Sequence, residues 1–214
     1  MSAHPLVNTF ASFDDLAGDR RLRKEMSGLY RAIFNARGSG EWGLRHTAEQ
    51  AERHLFEDRK PYRCRVRFAI SRSGRRAAGF ATAVRLQPDA FPATELPQGF
   101  RDWISLEFVR IDLAKAFGSE AQLAYVAEFG VLKRFRKGAS LGLLRDLLTG
   151  PGMRGVTHVC GWTRGDPGMR ALPRFLSIGA RELFSMNDSH MVFVGMELKN
   201  AVANIATALA APAR

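Results

Sequence analysis

The amino-acid sequence predicts an α/β protein with a mixed, mostly antiparallel sheet and helices packed on both of its faces. The chain has 214 residues, of which 46% are hydrophobic and 25% are charged, and these values are typical of one globular domain. The spacing of apolar residues changes repeatedly between the helical and the strand period, in the order α, α, β, β, undecided, β, α, β, α, β, β. We therefore expect a single domain over residues 1–214, with its core at about 19–198 and a tail at 199–214.

Two helices are predicted near the start of the chain. Residues 19–37 place apolar side chains three and four positions apart, which is the pattern of an amphipathic helix, and Gly38 ends it. Residues 47–58 follow with a second, more polar helical pattern.

A β-hairpin is predicted next. Residues 62–71 alternate apolar and basic side chains, which is typical of a strand with one face in water. The apolar set is Cys64, Val66, Phe68 and Ile70, and the basic set is Arg63, Arg65 and Arg67. The turn-forming sequence Ser-Arg-Ser-Gly comes directly after, so residues 77–86 are predicted to be the antiparallel partner.

The middle of the chain combines a long loop, an undecided segment and a strand. Residues 87–99 hold three of the nine prolines, so no regular element is expected there. Residues 102–117 fit a strand or a helix equally well. Residues 121–132 alternate as a strand that places Phe129 on one face and Glu128 on the other.

A basic, glycine-bearing turn at residues 133–140 separates this strand from a helix at residues 141–148. The N-terminus of a helix has unpaired N–H groups and a partial positive charge, so a basic turn that opens a helix is suited to hold phosphate oxygens. The positive side chains are Lys133, Arg134, Arg136 and Lys137. Local composition leaves two interpretations open, an anion site and a solvated basic turn.

The C-terminal part is predicted to contain three strands and one helix before the tail. The strands are residues 155–163, 181–186 and 190–198. Asp166 and Pro167 are suited to start the helix, and Gly179 is suited to end it.

The charge balance favours an anionic partner. Lysine and arginine number 32 against 21 aspartate and glutamate residues, which gives a net charge of +11. Nucleic acid, a membrane surface, a phosphate-bearing cofactor and an acidic protein all fit this charge. Two cysteines, Cys64 and Cys160, fit a reducing compartment, and without an apolar leader or an apolar run of about 18 residues a cytoplasmic protein is expected.

No metal site is predicted. His158 and Cys160 share one face of a predicted strand, but a zinc site needs three or four ligands. We expect both side chains to belong to the core.

Residues 128–148, EFGVLKRFRKGASLGLLRDLL, resemble motif A of the Gcn5-related N-acetyltransferase (GNAT) superfamily. Members of that superfamily run the pantetheine arm of an acyl thioester along this strand and seat its pyrophosphate on this turn. Their pattern is Arg/Gln-x-x-Gly-x-Gly/Ala; with Arg136 at its first position, Ala139 and Leu141 stand where glycines are expected. The resemblance implies donor binding by Phe129, Val131, Arg136, Lys137, Gly138, Ala139 and Ser140.

Further stretches are similar to one branch of that superfamily, the acyl-homoserine-lactone (autoinducer) synthases and the long-chain N-acyl amino acid synthases. These stretches are residues 26–42, 54–86 and 171–180. The strand sequence VAEFGV is similar to the Ser-Arg-Phe-Ala-Val strand of the branch, with Glu128 in place of the arginine. Together the similar stretches span most of residues 26–198.

The resemblance implies an acyltransferase with the acyl-CoA N-acyltransferase fold. Such an enzyme moves an acyl group from a pantetheine thioester to a primary amine of a small molecule such as an amino acid. The donor is a substrate, so no permanently bound cofactor is expected. Acyl carrier protein is the preferred donor, since it is acidic and would meet a basic face around Lys133–Lys137; acyl-CoA is the other.

Two alternative functions remain open at this point. The first is a short-chain N-acetyltransferase that uses acetyl-CoA. The second is a basic nucleic-acid-binding module without catalysis, in which Arg63, Arg65 and Arg67 would meet phosphates.

Transfer to an amine needs a group that accepts a proton. Glu128 is the first candidate, because its side chain leaves the strand on the face opposite Phe129. Glu107 is the second. The competing interpretation of Glu128 is a surface or ion-paired glutamate near Arg134 and Arg136.

Overall fold

The computed structural model describes residues 18–35, 46–58, 63–71, 74–86, 113–132, 136–166, 171–186 and 190–210. The α-helices are α1 (Arg20–Phe34), α2 (Ala48–Arg53), α3 (Arg136–Leu148), α4 (Ala171–Ser177) and α5 (Leu198–Ala210). The strands are β1 (Arg63–Ser71), β2 (Gly74–Leu86), β3 (Leu123–Val131), β4 (His158–Arg164), β5 (Arg181–Met186) and β6 (Met191–Glu197). A π-helical turn, His54–Asp58, follows α2, and a 3₁₀ turn, Pro151–Met153, precedes β4.

The described strands are hydrogen bonded in the order β1-β2-β3-β4-β6-β5. The pairs β1–β2, β4–β6 and β5–β6 are antiparallel, whereas β3–β4 is parallel. The predicted fold class, α/β with a mixed and mostly antiparallel sheet, is therefore confirmed. The predicted hairpin is confirmed as well, with Arg63 opposite Ala83 and Ser71 opposite Gly74.

The chain divides into two compact units. The first comprises Met1–Ala83 and Glu128–Leu147, and the second comprises Val84–Ala127 and Leu148–Arg214. The expectation of one domain over the whole chain stays a prediction.

In the first unit, α1 begins at a side-chain cap and buries one face. The Asp19 carboxylate accepts hydrogen bonds from two main-chain N–H groups of the first turn. Met26, Leu29 and Tyr30 are almost completely buried on the inner face. Each large apolar side chain buried in this way stabilises the fold by about 1.5–3 kcal/mol.

Helix α2 is capped and fastened to α1. Thr47 and Gln50 form a capping box, in which the side chain of each accepts a hydrogen bond from the main-chain N–H of the other. The Ser27 hydroxyl donates to a main-chain carbonyl of α2 at 2.8 Å. An ion pair joins Arg23 and Glu52 across the two helices at 2.9 Å.

In the second unit, helical residues lie against both faces of β6. Val192 and Gly195 point to opposite faces, because side chains alternate along a strand. Phe117, at the end of a helical stretch at residues 113–117, lies directly over Gly195 and leaves no room for a side chain there. Leu172 of α4 lies with Val192 on the other face, beside Gly165.

The structure corrects the boundary of the predicted basic turn. Residues 136–140 were expected to belong to a turn, but they form the first turns of α3, which begins at Arg136. Arginine, lysine and alanine are strong helix formers, and Gly138 is the weak one among these five. The helix therefore starts five residues before the first periodic leucine.

Other predictions meet the structure only in part. In the segment 102–117, which fitted a strand or a helix equally well, residues 113–117 are helical and residues 102–112 lie outside the described ranges. The predicted loop 87–99 and the predicted helix start at Pro167 also lie outside them. That helix is described from Ala171, and Gly179 ends it with a left-handed φ of 94°. The tail forms α5, which buries Ala201 and Ile205.

Nowhere in the part of the chain that the structure describes is a helix both long enough and apolar enough to cross a bilayer.

Candidate active site

A buried carboxylate lies on β3, at the position that the sequence analysis placed first among the proton acceptors. The Glu128 side chain is 6% exposed. The Thr82 hydroxyl donates a hydrogen bond to Oε2 at 2.9 Å, and Nε2 of His54 lies 2.7 Å from Oε1. Glu128 is thus hydrogen bonded to Thr82 and in contact with His54, and its side chain is buried in the first unit rather than at the surface.

The register of β2 against β3 places Thr82 next to Glu128. The N–H of Leu132 donates to the carbonyl of Ala78 at 2.9 Å. Thr82 lies four residues after Ala78 on β2, and Glu128 lies four residues before Leu132 on β3. Because these two residues also meet, the two strands run antiparallel here. Glycine at position 79 permits this approach, since a Cβ there would lie 2.7 Å from the carbonyl oxygen of Gly130.

The same register decides where the main chain of β3 points. In an antiparallel pair, the N–H and C=O groups of alternate residues point to alternate edges of the strand. Because Leu132 bonds to β2, the main-chain groups of Phe129 and Val131 point to the edge away from β2. These are the two β3 residues that the sequence analysis assigned to the donor arm.

The ladder between β3 and β4 is short compared with the strands. It pairs Leu123 with His158 and ends at Tyr125 and Cys160, three residue pairs in all within the described ranges. A Cβ at Gly161 would lie 2.9 Å from the carbonyl oxygen of Val126, so the two backbones are still close one residue further on. β3 then continues to Val131.

Helix α3 brings its N-terminus into the same compact unit. The N–H groups of a first helical turn have no carbonyl acceptor within the helix, and in α3 they belong to Arg136, Lys137 and Gly138. They carry the positive end of the helix dipole, which favours an anion. Ser140, one turn further on, is buried.

A ring cluster surrounds His54. The imidazole of His54 lies 5.2 Å from the Tyr30 ring and 5.5 Å from the His46 ring, measured between centroids. Tyr30 also contacts His46, Phe34 and Phe80 through ring faces and edges. This packing fixes the plane of the imidazole that reaches Glu128.

The predicted site residues fall into three groups. Glu128, Phe129, Val131 and Ser140 are described in full and lie in the first unit. Arg136, Lys137, Gly138 and Ala139 are described as helical main chain only. Glu107, Lys133 and Arg134 lie outside the described residues. The assignments of these residues to catalysis and donor binding stay predictions.

The sequence analysis missed His54 and Thr82. His54 is 74 residues from Glu128 along the chain, and no local pattern pairs them. Thr82 gave a weak signal, because it is a polar residue inside the apolar run Ala-Ala-Gly-Phe-Ala-Thr-Ala-Val, and it is fully buried.

His158 and Cys160 lie on β4, in the second unit. Burial raises the pKa of the Cys160 thiol and lowers the pKa of His158. His158 is half-buried, and its Nδ1 lies 2.9 Å from the Thr157 hydroxyl. The described residues contain no cluster of three or more histidine, cysteine or acidic side chains placed to hold a metal ion.

Comparison with known proteins gives matches at the level of structure. No protein-family model and no curated sequence matches the chain. A CoA-dependent acyl-homoserine lactone synthase, BjaI, solved with SAM and isopentyl-CoA, matches with a TM-score of 0.59 at 12% identity, over 98% of this chain and 92% of that one. FeeM, an N-acyl amino acid synthase from uncultured soil microbes, matches with a TM-score of 0.55 at 12% identity, over 94% and 96%.

A third solved structure carries the superfamily name. It is a protein from Desulfovibrio desulfuricans assigned to the GNAT acetyltransferases, with a TM-score of 0.52 and 12% identity over 90% of this chain and 99% of that one. At such identities the likeness establishes the fold. The chain therefore has the GNAT acyl-CoA N-acyltransferase fold, and its structural neighbours include the two kinds of synthase that the sequence resembles.

Proposed function

We propose that this protein is an acyltransferase that moves an acyl group from a pantetheine thioester to a primary amine of a small molecule such as an amino acid. The observation that carries the proposal is the position of Glu128. It is a buried, hydrogen-bonded carboxylate that directly precedes the β3 residues whose main-chain groups point away from β2. The fold shared with acyl- and acetyltransferases supports the same conclusion.

The donor would lie along β3 and α3. The pantetheine arm would lie along the edge of β3 that faces away from β2, beside Phe129 and Val131. The phosphates of CoA, or the phosphate of a carrier-bound pantetheine, would meet the first-turn N–H groups of α3. The protein then holds the thioester carbonyl close to Glu128, which is the residue before Phe129.

The reaction needs one proton transfer and one charge to be stabilised. A neutral amine attacks the thioester carbonyl, and a negative charge develops on the carbonyl oxygen, which strand N–H groups would stabilise. The attacking nitrogen loses a proton as the C–N bond forms. Glu128 supplies the negative charge that makes this proton transfer favourable. The C–S bond then breaks, and the sulfur leaves as the thiol after it takes up the proton that the nitrogen lost.

Purified protein incubated with thioester donors and an amine panel tests the proposal. The donors are CoA thioesters from acetyl to long-chain acyl and the same acyl groups on acyl carrier protein, and mass spectrometry follows the acylated amine. The account expects an amide product in the parent and less of it in the Arg136→Ala variant. A product from acetyl-CoA alone supports the short-chain alternative. No product with any donor, together with salt-sensitive nucleic-acid binding, would contradict the proposal and favour the nucleic-acid-binding alternative.

An acidic carrier protein is proposed as the preferred donor, and the exposed face of α1 supports this partner. Arg20, Arg21, Lys24 and Arg31 are all exposed. The first turn of α1 contains arginines and no acidic residue, although the helix dipole favours acidic residues there. These exposed positive side chains give α1 a local charge that complements an acidic partner.

Charge reversal on α1 separates the two donors. The double substitution Arg20→Glu and Arg21→Glu is expected to lower kcat/KM for the carrier-bound donor about tenfold at low salt, because complementary charge speeds encounter. The rate with the CoA thioester should change by less than about twofold. Acidic residues suit a first helical turn, so the melting temperature should not fall.

The matched control changes the same number of charges in the second unit, through Arg154→Glu and Lys199→Glu, at two exposed positions. Steady-state kinetics with both donors at several salt concentrations make the comparison. Equal losses for the two donors, or a loss as large in the control, would contradict a carrier-binding role for α1.

A further inference from the structure

Several polar atoms in the cluster around Glu128 can receive a proton. Resting on the proposed function, we infer that the His54 imidazole accepts the proton from the acceptor amine. Glu128 is then the positioning residue: it orients this imidazole and stabilises the protonated form. The inference adds a catalytic residue at a site 74 positions away in the sequence.

The hydrogen bonds of Glu128 favour this division of roles. Each of its carboxylate oxygens has a protein partner, His54 at 2.7 Å on Oε1 and the Thr82 hydroxyl at 2.9 Å on Oε2. A carboxylate whose two oxygens are both engaged in this way is placed to orient its neighbours, and the imidazole has a second nitrogen, Nδ1, apart from the one that contacts Oε1. An ionised Glu128 is better suited to stabilise a positive charge on its neighbour.

The difference in side-chain exposure between His54 and Glu128 also favours His54 as the proton acceptor. The His54 side chain is 14% exposed, whereas that of Glu128 is 6% exposed. The imidazole is therefore the more accessible of the two groups. The arrangement corresponds to a catalytic pair in which a buried carboxylate orients a histidine.

The backbone at His54 provides an independent observation. The α-helical geometry of α2 ends at Arg53, and His54 begins a π-helical turn that extends to Asp58. Such turns are rare and occur frequently at functional sites. Here the departure from α-helical geometry coincides with the residue whose side chain reaches Glu128.

The rings around His54 hold it in place and define its surroundings. Among the described residues, the titratable groups in contact with the imidazole include Glu128 from β3, Tyr30 from α1 and His46 from the segment before α2. Tyr30 is 2% exposed and contacts both imidazoles. A ring confined on these sides keeps one orientation, as proton transfer requires.

One proton moves from the acceptor amine to His54 and then to the leaving sulfur. An ionised carboxylate only accepts hydrogen bonds, so the 2.7 Å contact places the imidazole proton on Nε2 and the lone pair on Nδ1 of His54. As the amine nitrogen bonds to the thioester carbon, it gives one proton to Nδ1. The C–S bond breaks, and the imidazolium returns this proton to the leaving thiolate. The products are the amide, the thiol and a neutral His54.

Two substitutions test the inference on the full-length protein. The His54→Gln variant keeps an N–H that can donate to Glu128 but has no basic nitrogen. We expect kcat to fall about 100-fold, the KM for the donor to change by less than about threefold, and the pH profile of the rate to change shape, because the group that accepts the proton has been removed. In the His54→Ala variant, imidazole added to the solution should restore part of the rate.

The outcomes are distinguishable. A His54→Gln variant with the parental kcat and pH profile overturns the inference while the proposed function stands. Loss of activity in both variants with no rescue by imidazole, and with the parental pH profile in the residual rate, assigns His54 a structural role and also overturns it. A parent protein that transfers no acyl group from any thioester overturns the proposed function, and this inference with it.

Discussion

The Glu128→Gln variant is expected to have a kcat about 10²- to 10³-fold below that of the parent, because general acid–base groups contribute about 10²- to 10⁴-fold to such reactions. Glutamine has nearly the same shape and can still accept the hydrogen bond from Thr82. It lacks the negative charge that stabilises a proton on the neighbouring imidazole, which lies 2.7 Å away. Steady-state kinetics with a saturating thioester donor measure the effect.

Glu52→Gln is the matched control, since Glu52 is another glutamate of the first unit whose carboxylate contacts a basic side chain. Its partner is Arg23, and both side chains are about one-third exposed, at 32% each. Such a pair contributes less than about 1 kcal/mol to stability. The control should keep the parental rate. A Glu128→Gln variant within about threefold of the parent would remove the central chemical role assigned to this carboxylate.

The Gly79→Ala variant is expected to lose about 2–3 kcal/mol of unfolding free energy, which is a large effect for a single methyl group. A Cβ at this position would lie 2.7 Å from the carbonyl oxygen of Gly130 and 2.8 Å from Cγ2 of Val131. The first of these atoms is main chain, so β2 and β3 must move apart. Since their register aligns Thr82 with Glu128, activity should fall together with stability.

Gly28→Ala gives the opposite sign and serves as the control for Gly79→Ala. Gly28 lies in the middle of α1, and a Cβ there would meet nothing within 4 Å. Alanine in a helix interior is more stable than glycine by about 0.5–1 kcal/mol. Urea denaturation of the two variants measures both changes. A Gly79→Ala variant as stable as the parent would mean that the close approach of the strands is not maintained.

Local periodicity was sufficient to predict most of the regular elements. The alternation at residues 62–71, followed by a turn, predicted the β1–β2 hairpin, and the spacing in residues 19–37 predicted α1. Both patterns indicate which face of the helix or strand is buried, and they do so from residues within a single segment of the chain. The start of α3 was wrong by five residues, because arginine and lysine beside a glycine fit a basic turn and a first helical turn alike.

The partners of Glu128 could not be predicted from the same patterns. Alternation along β3 indicates the face on which Glu128 lies, but it does not tell which strand is adjacent or in what register. That register brings Thr82, 46 residues away, opposite Glu128. His54 reaches the carboxylate from the first position of a π-helical turn, and a short helical sequence gives no signal for such a turn.

Hydrogen–deuterium exchange with and without a non-hydrolysable acyl-CoA analogue reports on donor binding along β3 and α3. We expect slower exchange in the peptides that contain Phe129 to Val131 and the first turn of α3, because a bound donor would cover those segments and suppress their local opening. The α5 peptide should exchange at its original rate. Unchanged exchange in β3 and α3, at a concentration of analogue that saturates the protein, would contradict donor binding at this site.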